Sequence, residues 1–125
     1  MMHQGKLLEG VRMLVVEDEA LIAMLVEDML SDLGCTEVDI AGTVEQGLRM
    51  AAPGKARIDA AILDVNVAGD KVFPIAEALE AQGIPFVFAT GYGTAGVDPR
   101  FVDRPVIAKP FRLDALEKSL ATALA

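Results

Sequence analysis

Five short apolar runs, VRMLVVED (11–18), EVDIA (37–41), IDAAILD (58–64), PFVFA (85–89) and PVIAKP (105–110), alternate along the chain with longer segments of helical period. Runs that stay apolar without alternation suit strands buried on both faces, and such strands belong to parallel sheets whose crossovers are helices. The intervening segments read accordingly. In EALIAMLVEDMLSDLG, Leu21, Ile22, Leu25, Val26, Met29, Leu30 and Leu33 fall at helical spacing, and Gly34 supplies the stop. Thr43 with Gln46 three residues on makes a capping-box start for a helix to about Ala52. Pro74 suits the first turn of a helix that runs to about Gln82 and ends at Gly83. The final segment, RLDALEKSLATALA, places Leu113, Leu116, Leu120 and Leu124 on one face.

Five strand–helix units fit a flavodoxin-like, doubly wound parallel sheet of order 2-1-3-4-5 with helices on both faces. A chain of 125 residues with 53% hydrophobic content has enough apolar surface for one compact domain, with residues 1–9 expected as a flexible start and no output domain. Eleven basic against nineteen acidic residues give a formal charge of −8, which disfavours nucleic acid and anionic membrane. No secretory leader pattern precedes the first strand, the apolar runs are too short to span a bilayer, and the single cysteine, Cys35, has no intrachain partner. A cytoplasmic location is expected. Cys35 carries no mark of a reactive thiolate, His3 falls in the flexible start, and the methionines at helical spacing read as core.

In sheets of this order ligands bind outside the carboxyl ends of the strands, between strands one and three. What stands there is polar throughout: Glu17 and Asp18 after strand one, Asp64 after strand three, Thr90 after strand four and Lys109 after strand five. Each position has an ordinary explanation. Asp64 could open a turn, Glu17 could favour a helix start, Thr90 could bond local backbone, and Lys109 could be solvated before a turn. Their joint occurrence on one rim is what those explanations miss. Three carboxylates held together repel unless a cation lies between them, and hard oxygen ligands with open positions suit Mg2+.

These residues resemble the receiver domain of two-component response regulators, and the resemblance covers essentially the whole chain. It implies that Asp18 binds Mg2+ directly, Glu17 acts through water, and the backbone carbonyl of Asn66 completes the protein ligands with Asp64. It further implies that Asp64 accepts a phosphoryl group from a histidine kinase or phosphotransfer protein, that Thr90 is the switch hydroxyl, and that Lys109 pairs with the phosphoryl oxygens. The Lys109-Pro110 peptide is often cis in this family. FATGYG (88–93) resembles the signature of a receiver subfamily that is often single-domain, departing from it at Gly93. Two further departures stand out: Val106 replaces the usual aromatic three residues before the lysine, and the first acidic residue is Glu rather than Asp.

The expected output is therefore a protein-binding surface on a monomer or weak dimer that engages an effector protein. Two other classes remain open. An aspartyl-phosphate-type phosphatase would want a general acid two residues after Asp64, where Asn66 sits. A flavin-binding module would want a phosphate-binding loop after strand one, where EDEA would repel phosphate. Residues 91–104, GYGTAGVDPRFVDR, are the weakest helical segment, expected to rearrange on phosphorylation with Tyr92 repacking in place of the missing aromatic.

Overall fold

A computed structural model of the chain describes residues 6–55, 57–91 and 96–125. Strands β1 (Arg12–Val16), β2 (Glu37–Ala41), β3 (Ala60–Asp64), β6 (Phe86–Thr90) and β7 (Val106–Ala108) form one sheet, and β4 (Asn66–Val67) with β5 (Asp70–Lys71) forms a separate two-stranded hairpin. The sheet order is β2-β1-β3-β6-β7, every pair parallel. Once the hairpin is set aside this is the expected 2-1-3-4-5 order. It places β1 and β3 side by side at the point where the winding reverses.

Side chains that alternate along each strand feed two cores. Leu14, Val16, Leu63, Phe86 and Phe88 face helices α2 (Val44–Ala51) and α3 (Phe73–Ala81), while Met13, Val15, Ile62, Val87 and Ile107 face α1 (Ala20–Asp32) and α4 (Leu113–Leu124). β3 is buried at all five positions, which is why its sequence shows no polar alternation. The rings of Phe73, Phe86, Phe88 and Phe101 cluster on the α3 side with centroids 5.4–6.0 Å apart.

The helix termini follow their sequence signals. Thr43 Oγ1 accepts the Gln46 N–H at 3.0 Å, and Gln46 Oε1 reaches back to the Gly42 N–H at 2.9 Å. Gly47, inside α2, packs closely on its neighbours: a Cβ there would press on the end of the Ile75 side chain and lie 3.5 Å from Val16 Cγ2. Gly47→Val is therefore expected to lose about 2 kcal/mol in a urea titration, because overpacking between α2 and α3 outweighs any gain in helix propensity.

Three features differ from the sequence reading. Residues 6–9, expected within a flexible start, form a turn that buries Leu8 completely and bonds its N–H to the Leu33 carbonyl at 2.9 Å. On α1 the buried line is Ala23, Val26 and Leu30, whereas Leu21 (80% exposed), Met24 and Leu25 (41%) face outward. The helix has more apolar residues than its contact face can cover, so spacing alone could not say which are inside. In the fourth unit, Pro99–Phe101 form a 3-10 turn, and the described residues between Thr90 and Val106 include no α-helix. Tyr92 and His3 lie outside the described residues. Cys35 is buried, with its Sγ against the carbonyls of Val11 and Glu37, and burial raises its thiol pKa.

Candidate functional site

Strand ends deliver the site. The Glu17 N–H continues the β1–β2 ladder by donating to the Ala41 carbonyl at 2.9 Å, and β3 closes on Asp64, paired in register with Ala89. The Lys109 N–H donates to the Thr90 carbonyl at 3.0 Å, tying the end of β7 to that of β6. Glu17, Asp64 and Thr90 are buried, whereas Asp18, one residue past Glu17, is exposed. A cleft of about 610 Å3 opens here, lined among others by Asp18, Asp64, Asn66, Thr90 and Lys109.

Lys109 is the electrostatic centre of this arrangement. Its Nζ donates to Glu17 Oε1 and to Asp64 Oδ2, both at 2.9 Å. The second Glu17 oxygen accepts the Glu19 N–H at 3.0 Å. Burial opposes the charge on Lys109, but the bonds to Asp64 and Glu17 outweigh it and raise its pKa, so the lysine stays ammonium. For Glu17 the balance goes the other way: desolvation raises its carboxyl pKa despite the Glu19 N–H and Lys109. Two carboxylates thus share one cation in a site with little solvent.

Each of Glu17, Asp18 and Asp64 offers a carboxylate oxygen, and the three oxygens lie within 4.8 Å of one another. Asp18 makes no hydrogen bond or ion pair among the described residues, leaving its oxygens available. An all-oxygen, acid-rich donor set of this kind is compatible with a Mg2+ site. Another depression, of about 450 Å3, lies beside Arg12 and Asp39, but there the charges neutralise one another, Arg12 pairing with Asp39 at 2.9 Å and with Glu37 at 3.6 Å.

No family model and no curated protein matches the chain. Solved structures do. SdrG from Sphingomonas melonis Fr1 is 51% identical, with a TM-score of 0.81 over 92% of this chain and 97% of that one. The chain belongs to the response-regulator receiver family. The BeF3-activated conformation of SdrG from Pseudomonas melonis Fr1 matches this receiver at the same 51% identity, with a TM-score of 0.76 over 91% and 96% of the two chains. The response regulator PhyR from Brucella abortus is 30% identical with a TM-score of 0.76, and there the receiver covers 90% of its own length but 47% of the PhyR chain.

All five rim residues named from the sequence meet at one end of the sheet. The Lys109-Pro110 peptide is cis. What the sequence reading missed is the hairpin directly behind Asp64: Asn66 faces Lys71 across it, and Lys71 Nζ donates to Asn66 Oδ1 at 2.6 Å. Its turn uses Ala68 at φ 50° and Gly69 at φ 89°. Ala-Gly is a poor announcement of such a turn, since Asn or Asp is the usual residue for the first left-handed position.

Proposed function

We propose that the receiver accepts a phosphoryl group on Asp64 from the phosphohistidine of a sensor histidine kinase or phosphotransfer protein, with Mg2+ as cofactor. The observation that carries this reading is the Lys109 ammonium bonded at once to Asp64 and Glu17 at the switch point of the sheet. In the transfer, an Asp64 oxygen attacks phosphorus in line, the phosphorus–nitrogen bond breaks, and the imidazole leaves with the electron pair and takes a proton from solvent. Lys109 exchanges a carboxylate oxygen for a phosphoryl oxygen as charge builds there, and Thr90 supplies its hydroxyl to another. Asp18 would hold the metal directly, Glu17 through water, and Asn66 by its backbone carbonyl; the bound ion would neutralise charge on the transferring group. The existence of a BeF3-activated SdrG at 51% identity supports the same chemistry, since the fluoride stands in for a phosphoryl group.

The partner is proposed to dock on α1. This helix begins two residues after Asp18 and presents Leu21, Met24 and Leu25 to solvent beside the acidic cleft, a grouping that an apolar helical surface would cover. Output then passes to an effector protein through a surface, without nucleic acid. Among the described residues no helix is long and apolar enough to cross a membrane.

Incubation with acetyl phosphate and Mg2+ tests the central claim: intact mass should rise by one phosphoryl group. Metal titration separates the acidic pair. Asp18→Ala should weaken Mg2+ at least about a hundredfold and Glu17→Ala about tenfold, as expected for a direct ligand and an outer partner. Equal losses would reject the division of roles. The switch is placed in the segment after Thr90, where hydrogen exchange at residues 90–105 should change most on adding beryllofluoride.

A further inference from the structure

The hairpin that follows the phosphoacceptor position is anchored from below. Val67 and Val72 are completely buried, and the Val72 N–H donates to the Val65 carbonyl at 3.0 Å, so the hairpin that begins two residues beyond Asp64 is tied into the core. Asn66 and Lys71 are directly opposed in the antiparallel ladder, which puts their side chains on the same face. Lys71 has no other partner among the described residues. An exposed lysine bond of this kind contributes little to folding. Its location gives it a different importance, because Asn66 lines the cleft with Asp64, Thr90 and Lys109.

A lysine ammonium can only donate, so the Asn66 amide must turn its oxygen to Lys71 and its NH2 away. In that orientation the free end of the amide is a donor. It can bond a phosphoryl oxygen but cannot accept a proton from water. Released from Lys71, the amide could turn over and offer its oxygen to a water approaching phosphorus, the way a glutamine amide orients attacking water in other phosphoryl-transfer sites.

Resting on the reading of Asp64 as phosphoacceptor, we propose that Lys71 is a positioning residue that prolongs the life of the acyl phosphate by fixing the Asn66 amide with its donor end toward the cleft. The step it slows is hydrolysis. Water oxygen attacks phosphorus, the bond from phosphorus to the Asp64 oxygen breaks, the carboxylate departs with the electron pair, and the proton of the water passes to phosphate or solvent.

The test follows loss of the phosphoryl group by intact mass after acetyl phosphate is removed by desalting. Lys71→Met should shorten the half-life about fivefold, the kinetic equivalent of one hydrogen bond, and Lys71→Arg, which keeps a charged donor, should restore most of it. Mg2+ affinity should be the same in all three proteins. In an Asn66→Ala background, which keeps the backbone carbonyl, Lys71→Met should have no further effect. A fivefold effect that persists without the Asn66 amide would overturn the proposal, because Lys71 would then act by its charge alone. An unchanged half-life in a protein that does become phosphorylated overturns the role of Lys71 and leaves Asp64 as phosphoacceptor; a wild-type protein that takes up no phosphoryl group overturns both.

Discussion

Asp64→Asn is expected to show no mass increase with acetyl phosphate and Mg2+, where the wild-type protein gains one phosphoryl group. The amide is nearly isosteric with the carboxylate and sits at the same strand end, but its nitrogen and carbonyl are too weakly nucleophilic to attack phosphorus. The fold should survive the change. Lys109 keeps its 2.9 Å bond to Glu17, and the amide oxygen can still accept from the ammonium in place of Asp64 Oδ2. Removing one carboxylate also relieves repulsion within the trio of Glu17, Asp18 and Asp64. An unaltered circular dichroism spectrum alongside complete loss of labelling is therefore the expected pair of results. Labelling that persists on the variant would place the acceptor on another residue.

Lys109→Ala should affect both stability and transfer. It leaves the Glu17 and Asp64 carboxylates, whose side chains are 3% and 10% exposed, without their shared counter-charge. Removing one partner from a buried ion pair strands the other charges, at a cost on the order of 3 kcal/mol. The loss should shrink as pH falls into the carboxylate range: burial raises the Glu17 pKa, so the folded state binds that proton more readily than the unfolded chain and gains stability toward acid. Added Mg2+ should stabilise the variant more than the wild type, since a cation at the acidic cluster then replaces a missing charge. Phosphoryl transfer from acetyl phosphate should fall about a hundredfold even with saturating metal, the usual consequence of deleting one preorganised positive group from a transition state. Thermal or urea unfolding with and without Mg2+ reads the first effect and timed mass spectra the second.

Much of this site could be read from the chain because strand termini are fixed by patterns visible in one dimension. An apolar run that ends in Asp64 or Lys109 states both that a strand is buried and what its last residue delivers, and the sheet order then gathers those ends. The shared lysine geometry was not readable, because which carboxylates Lys109 reaches depends on distances between separate strands. Leu21 and Leu25 illustrate another limit. Hydrophobic residues on both sides of a helix satisfy the same period, and the sheet alone decides which side is covered. The β4–β5 hairpin escaped notice since two-residue strands carry no periodic signal and Ala68 is an unusual occupant of a left-handed turn position. The short 3-10 turn at Pro99–Phe101 agrees with the glycines and proline around it, which weaken α-helix formation without specifying what replaces it.

The way residues 99–104 attach to the body of the receiver has a consequence for how its surroundings act on it. Phe101 is buried among rings, but the outer fastening is charge: Arg100 pairs with Glu77, and Arg104 pairs with Glu80 at 2.9 Å while lying 4.4 Å from the Phe86 ring centroid. Both acidic partners stand on α3, and both pairs are open to solvent on at least one side. Attractions of that kind weaken as the screening length contracts from about 8 Å in physiological salt to about 3 Å at 1 M, whereas the seating of Phe101 is apolar and does not. Electrolyte thus loosens the rim of this segment and leaves its pivot in place, so ionic strength becomes an input to the same element that is proposed to respond to phosphorylation.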